Sequence, residues 1–361
     1  MPFIKLQFKP GVNRDQTDYS NEGGWRECDK IRFRSGYPEK IGGWQKATSV
    51  QFQGVCRQMW NWVTTYSDNF MALGTHQKAY IENGGYYNDI TPLRLVNPTI
   101  DTPDTDNCVY TSTATPNVVT IQLPVAHEAE TGDFVQISGV TGTIGGIPAS
   151  EINGNHEITV VTGLTFTIPV TGPVTSNVSG SGGTVIILDF EIRPGYAITT
   201  AGYGWGTGTW SRGAWGLGST EPIFFPQRDW WFDNFDNDLV MNIRNGAGYW
   251  WVRGATPDPG TALATRAITL QAYATAEGYT ANSVPVKIMQ LLVSQQDRHL
   301  IAFGAVPFGS TNPDDFDPML IRWADQDTPG DWTPSSTNTA GDIRVSRGSR
   351  IVRGCRHVRK S

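Results

Sequence analysis

Ile4, Leu6 and Phe8 alternate with Lys5 and Gln7 at the start of the chain, the two-residue period of a strand with one buried face. Further on, three long segments share a layout: Gln58 to Ile90, Asp229 to Val252 and Ile288 to Trp323. Each reads as an apolar strand, a polar turn, a second apolar strand, and a third strand rich in aromatic or aliphatic residues. Their centres align as Phe70-Met71-Ala72-Leu73, Leu239-Val240-Met241-Asn242 and Leu300-Ile301-Ala302-Phe303. Consecutive antiparallel meanders are how propeller blades look in sequence. The expected fold class is therefore all-β, with a propeller-like body of antiparallel meander blades.

A second pattern interrupts the first. "NVVTIQL", "DFVQISGV", "HEITVVTG", "LTFTIPV" and "GTVIILDF" read as short strands, punctuated by "ETG", "NGN" and "SGSGG". About five strands this close together suggest a small β-barrel or sandwich. Charge marks the same stretch: residues 95–192 hold ten acids and no lysine or arginine, and all 13 tryptophans lie outside it. The expected organisation is 1–103 as the first part of the propeller-like body, 104–190 as an inserted β-barrel domain, and 191–361 as the second part. A run of extra propeller hairpins is the rival reading of the insert.

Composition sharpens this. In 361 residues there are 40 glycines and 22 prolines, and only 17% of the chain is charged, as in a turn-rich β protein. No apolar run approaches the ~20 residues of a membrane-spanning helix. The N-terminus has no long apolar stretch, so no signal peptide is expected. A net charge of −6 argues against a protein that clamps duplex DNA through a basic face. Cys28, Cys56, Cys108 and Cys355 lie far apart without C-x-x-C spacing, which favours a reducing compartment over zinc or redox use.

The search for chemistry returns little. "AGYGWGTGTWSRGAWGLGS" (201–219) spaces Trp205, Trp210 and Trp215 five apart. An odd spacing alternates faces of a strand, so these rings make no flat sugar platform. The glycines match neither G-x-G-x-x-G nor a P-loop, and scaffold use is expected. "DNFDND" (Asp233, Asp236, Asp238) and "NPDDFDP" (Asp314, Asp315, Asp317) lack the EF-hand glycine and closing glutamate, and read as solvated hairpin turns. His76, His127, His156, His299 and His357 show no metal-binding spacing. The expectation is no catalytic, cofactor-binding or metal-binding residue, no cofactor and no enzymatic activity.

Two blocks resemble the tail nozzle proteins of short-tailed bacteriophages, a family also described as tail tubular or packaged-DNA stabilisation proteins. They are "KPGVNRDQTDYSNEGGWRECDKIRFRSGYPEKIGGW" (Lys9–Trp44) and "LIRWADQDTPGDWTPSSTNTAGDIRVSRGSRIVRG" (Leu320–Gly354), and the Gly/Trp block from 201 to 219 is also similar. Separately, "TGDFVQISGVTGTIGGIPASEINGNHEITVV" resembles the small β-barrel of ubiquitin-activating enzymes, without implying their chemistry. The resemblance implies a structural virion protein, assembled in the bacterial host cytoplasm. Six copies would ring the tail axis around a DNA exit channel that helps retain packaged DNA until ejection. Its partners would be other copies of itself, an adaptor or portal ring above, and fibres or a needle below. Double-stranded DNA would pass without sequence-specific binding, and there would be no membrane insertion. The rival readings are a β-propeller carbohydrate- or receptor-binding protein and, third, a carbohydrate-active enzyme. Family members usually continue beyond "GSRIVRG", so the C-terminus is read as truncated. Seven of the last 18 residues are basic (Arg344, Arg347, Arg350, Arg353, Arg356, Arg359 and Lys360), which makes a DNA-contacting tail the functional alternative.

Overall fold

A computed structural model describes residues 9–15, 17–43, 45–46, 48–94, 108–183, 186–195, 229–253 and 265–356. The strand expected at Ile4–Phe8 and the tryptophan block at 201–219 lie outside the described residues. The chain divides into two compact units, Met1–Ser49 and Val50–Ser361.

In the first unit, Ile31–Arg34 and Tyr37–Lys40 form a hairpin. Its two-residue turn puts Ser35 at φ 50° and Gly36 at φ 86°, the left-handed pair whose twist suits a tight hairpin. Arg32 grips Glu39 across the strands through two hydrogen bonds of 3.2 Å. Among the described residues of this unit only Asn21 is buried.

The second unit is built on three four-stranded antiparallel meanders. Blade 1 comprises Cys56–Val63, Asn69–Thr75, Ala79–Asn83 and Tyr86–Asp89. Blade 2 comprises Trp230–Phe235, Asp238–Ile243, Gly248–Trp251 and Ile268–Thr269. Blade 3 comprises Ile288–Ser294, His299–Ala305, Asp317–Trp323 and Gly341–Arg344. The three expected strands of each segment are present, and a fourth strand completes each sheet. The body is propeller-like because alternate residues face opposite sides and the blades stack on those sides. Trp62, Phe70 and Ile81 of blade 1 meet Trp230, Phe232, Met241 and Trp251 of blade 2. The other side of blade 2 presents Val240 and Trp250 to Leu291, Val293, Leu300 and Ala302 of blade 3. The short helix Leu270–Ala276 seals this second core. Its N-cap Thr269 accepts from Ala272 N, and Tyr273 stacks on Trp250 at 4.2 Å.

Residues 108–190 close around a core of their own. A five-stranded sheet carrying Val109, Val119, Ile121, Phe166 and Ile168 faces a three-stranded sheet carrying Val135, Ile137, Leu188 and Phe190. The run His156–Gly163, expected as one strand, serves both sheets. Gly154–Glu157 pairs with Phe134–Ser138, and Thr159–Thr162 pairs with Thr165–Pro169. Between them Ile158 turns fully into the core, and burying that side chain breaks the strand. Entry and exit meet: Arg94 N donates to Phe190 O (2.7 Å) and Ile192 N to Pro92 O (3.0 Å).

A buried ionic knot fastens this module to blade 1. Lys78, almost fully buried, places its Nζ 2.8 Å from Asp89 and 2.9 Å from Glu191. Arg266 reaches the same two carboxylates at 3.1 and 2.8 Å, so two cations balance two anions. Asn155 of the insert completes the cluster by accepting from Lys78 Nζ at 2.8 Å. Among the described residues no helix is long and apolar enough to cross a membrane.

Candidate functional site: a groove over the first strands

The first strands of the three blades line a groove of about 270 Å³. Blade 1 contributes Gln58 and Trp60, blade 2 Trp231 and Asp233, and blade 3 Gln290 and Leu292; residues Arg353 to Arg356 close it. The closing segment is held by side chains acting as a strand partner. Gln290 Nε2 donates to Gly354 O (2.9 Å), and Gly354 N donates back to Gln290 Oε1 (2.8 Å). Glycine is required here: a Cβ on Gly354 would lie 2.4 Å from the Phe303 ring.

Arg356 Nε donates to Val293 O (2.8 Å), while its terminal nitrogen pairs with Asp233. Its guanidinium also lies over Trp60, 5.7 Å from the ring centroid, and Arg353 lies over Trp231 at 4.7 Å. Such contacts are electrostatically favourable, because the cation sits on the negative face of the ring. Asp233 also accepts from Val293 N at 2.8 Å. Burial pushes its carboxyl above the usual range, and the Val293 N–H and Arg356 only partly offset that. The groove thus holds two guanidiniums and one carboxylate, of which Arg356 pairs with Asp233. Arg353 has no acceptor among the described residues, and the buried Trp231 Nε1 also lacks one. The groove offers donors and local positive charge, while arginines already occupy the indole faces a sugar ring would need.

This places two acids differently from the expected solvated turn. Asp233 is a buried bracket between blades 2 and 3. Asp238 accepts from Trp250 Nε1 (3.0 Å) and Arg253 N (2.9 Å), with its pKa raised by burial. A short polar side chain beside buried N–H donors is worth more as an internal acceptor than in water. Asp236 alone of the three sits at the turn tip, at φ 51°. There it meets Arg298 through two 2.7 Å bonds. In the second run, Asn312 accepts from Asp314 N at 3.1 Å and Asp315 from Ser310 Oγ at 2.5 Å, an ordinary capped turn.

A smaller cleft of about 150 Å³ lies where the insert meets blade 1 and contains His76, Glu130, Asp133, Glu157 and Arg193. Arg193 grips Asp133 with two 2.7 Å bonds and Glu130 at 2.6 Å. Those hydrogen bonds raise the Arg193 pKa. Two of the cleft's three carboxylates are therefore neutralised by one guanidinium. Among the described residues no three His, Cys, Asp or Glu side chains converge as a metal ion would require. Buried His127 is a core residue, its Nδ1 accepting from Ala129 N and its Nε2 bonded to Thr162 O. All four cysteines are free thiols.

Of the groove residues, sequence marked only Asp233, as a turn acid, and Arg353 and Arg356, as part of the basic C-terminal run; the others carried no signal. Trp60 and Asn234, bonded at 3.3 Å, are 174 positions apart, and no local motif joins such pairs.

No family model matches the chain, and no curated protein matches it in sequence. Among solved structures it is similar to a phage phi92 endosialidase, with 13% identity over 87% of this chain and 41% of that chain, and a TM-score of 0.21. The chain therefore spans about two fifths of that protein's length. A likeness this slight assigns neither fold nor activity.

Proposed function

We propose that this protein is a non-enzymatic virion component: a subunit of a ring, six copies round, forming the tail nozzle of a short-tailed bacteriophage. The observation that carries the reading is where the nozzle-like block Leu320–Gly354 goes in the fold. Its residues build scaffold. Arg322 is buried beneath Phe308 and Trp332, and its guanidinium donates to Val306 O (3.1 Å), Ser283 O (2.6 Å) and Trp332 O (3.4 Å). Desolvation pushes its pKa down to about 10. Trp332 is itself buried and donates to Pro329 O at 2.9 Å. Asp325 draws the chain back by accepting from Thr339 N at 2.7 Å. The block that carries the resemblance thus supplies the framework of blade 3, as the resemblance to a structural part implies. A net charge of −6 suits a sleeve that DNA traverses without a sticky, salt-dependent bond.

The rival carbohydrate-binding reading finds less support, since guanidiniums cover the indole faces of Trp60 and Trp231. Electron microscopy of the purified protein tests the proposal. Sixfold rings with a central hole are expected. Particles without rotational symmetry at any concentration up to tens of micromolar would sink it.

A further inference from the structure

Lys78 holds an amine in one place. It lies in the turn between the second and third strands of blade 1, where Thr75 N donates to Lys78 O and Lys78 N to Thr75 Oγ1, both at 2.8 Å. Its side chain is buried, and the ring of Phe134 from the insert packs on it, with Nζ 4.5 Å from the ring centroid. Asn155 Oδ1 accepts from Lys78 Nζ at 2.8 Å, while Asn155 Nδ2 donates to Glu191 Oε1. Glu191 Oε1 also accepts from Lys78 Nζ, at 2.9 Å. Amine, amide and carboxylate thus close a ring of three hydrogen bonds. Backbone pairing fixes the other two corners: Asn155 stands opposite Gln136 in the insert's sheet, and Glu191 N donates to Phe134 O at 3.0 Å. Glu191 is buried, whereas Asn155 is exposed.

Balancing the lysine charge needs only carboxylates, and Asp89 already supplies a second one at 2.8 Å. The amide adds a different capability. A deprotonated amine is a nucleophile and an amide carbonyl carbon is an electrophile. A carboxylate that touches both the attacking and the leaving nitrogen can carry the proton from one to the other. With Oδ1 at hydrogen-bond distance from Nζ, the carbonyl carbon is one bond further on. A turn of the amide about its Cβ–Cγ bond presents that carbon to attack. Groups held this close react as though at enormous concentration, about 10⁵–10⁸ M for the best-oriented pairs.

We propose that the chain joins Lys78 to Asn155 by an isopeptide bond, once per molecule, with Glu191 as the catalytic residue. Glu191 Oε1 takes one proton from the Lys78 ammonium, a transfer that burial favours because it removes two charges from a site poor in water. Nζ attacks Asn155 Cγ, and the Nζ–Cγ bond forms. Glu191 hands its proton to Asn155 Nδ2, the Cγ–Nδ2 bond breaks, and ammonia is expelled. The ammonia takes up the proton that Nζ sheds on becoming an amide, and leaves as ammonium past the exposed Asn155. Nothing is oxidised or reduced. Arg266, bonded to both Asp89 and Glu191, remains to hold the two carboxylates. The ion-paired knot is the state before reaction, and the bond staples the insert to blade 1. The inference does not depend on the ring proposed above.

Intact mass spectrometry of the denatured full chain, followed over days at room temperature, tests the proposal. The linked protein should weigh one ammonia less than its sequence. Its tryptic digest should contain a branched peptide joining the segments that hold Lys78 and Asn155. Asn155→Ala, a change at an exposed position, should keep the full sequence mass. Glu191→Gln should form the link about 10²-fold more slowly or worse, the scale of a lost proton carrier, with a circular dichroism melt that shows it folded. A parent that keeps its sequence mass overturns the proposal. So does ammonia lost with linear peptides only, as ring closure of Asn153 onto the Gly154 nitrogen would give. A folded Glu191→Gln chain that links at the parent's rate overturns the role of Glu191. If that variant melts without cooperativity, the branched peptide and Asn155→Ala decide by themselves.

Discussion

In the unlinked chain Lys78 is a cation buried where water cannot reach it, and it survives there because Asp89, Glu191 and Asn155 each accept a hydrogen bond from its ammonium group. Removing one partner of such a knot leaves charge stranded. Lys78→Met is expected to cost about 3–5 kcal/mol in urea unfolding at neutral pH. A loss below 1 kcal/mol would show that the knot is dispensable. Asp89 adds a pH signature. Burial raises its pKa, but Lys78 and Arg266 outweigh burial and hold it below the ordinary 3.8. The folded chain thus binds this proton less readily than the unfolded one. Its contribution is fully present above 3.8 and is lost as pH falls through the lower folded value. Asp89→Asn should flatten the decline of the urea midpoint below pH 4, and an unchanged slope would count against this assignment. None of this was legible in sequence, because Lys78 and Glu191 stand 113 positions apart. Asp233 and Asp238 misled for a related reason: Asp beside Asn reads as a turn, and only packing reveals which of them faces a buried donor.

Strands were the most legible elements, because their two-residue period is local. The centres of the three blades were visible as aligned apolar runs. The fourth strands were not, since two residues such as Ile268–Thr269 carry no period. The missed corner at Ile158 has the same origin, a run that looks continuous until a second sheet claims half of it. The joint between blades depends on bare backbone as well as on side chains. At Gly74 a Cβ would sit 2.4 Å from the Trp230 indole, whose Nε1 donates to Thr75 O at 2.7 Å. Gly74→Ala should therefore push blades 1 and 2 apart and destabilise by about 1–3 kcal/mol, as overpacking does. Thermal unfolding checks it, and a melting temperature equal to the parent's would refute the close approach. The groove over the first strands lay beyond sequence reading, because it exists only once three distant strands and the C-terminal segment come together.

At the scale of the molecule, the basic C-terminal run is less free than its composition implies. Arg344 pairs with Asp317 at 2.6 Å, Arg356 pairs with Asp233, and Arg353 lies on Trp231. Arg347 and Arg350 remain exposed. The protein should bind duplex DNA no more tightly than roughly 10⁻⁴–10⁻⁶ M at physiological salt. Arg347→Gln with Arg350→Gln should lower the slope of log affinity against log salt by about 2. Fluorescence anisotropy over a salt series measures both. Tight binding that survives the double substitution would reveal a basic surface elsewhere.

The meeting of the insert's entry and exit, where Arg94 bonds to Phe190 and Ile192 to Pro92, bears on how the chain finds its fold. Blade 1 ends at Asp89 and blade 2 begins at Trp230, so joining them as an open coil would close a very long loop. Loop closure costs conformational entropy that grows with length, and contacts distant in sequence slow folding. The insert has a core made only of its own residues and can collapse first. Once its ends are pinned together, the search between blades spans the stretch from Ile192 to Trp230 in place of the whole interval from Asp89, and the insert serves as a kinetic shortcut.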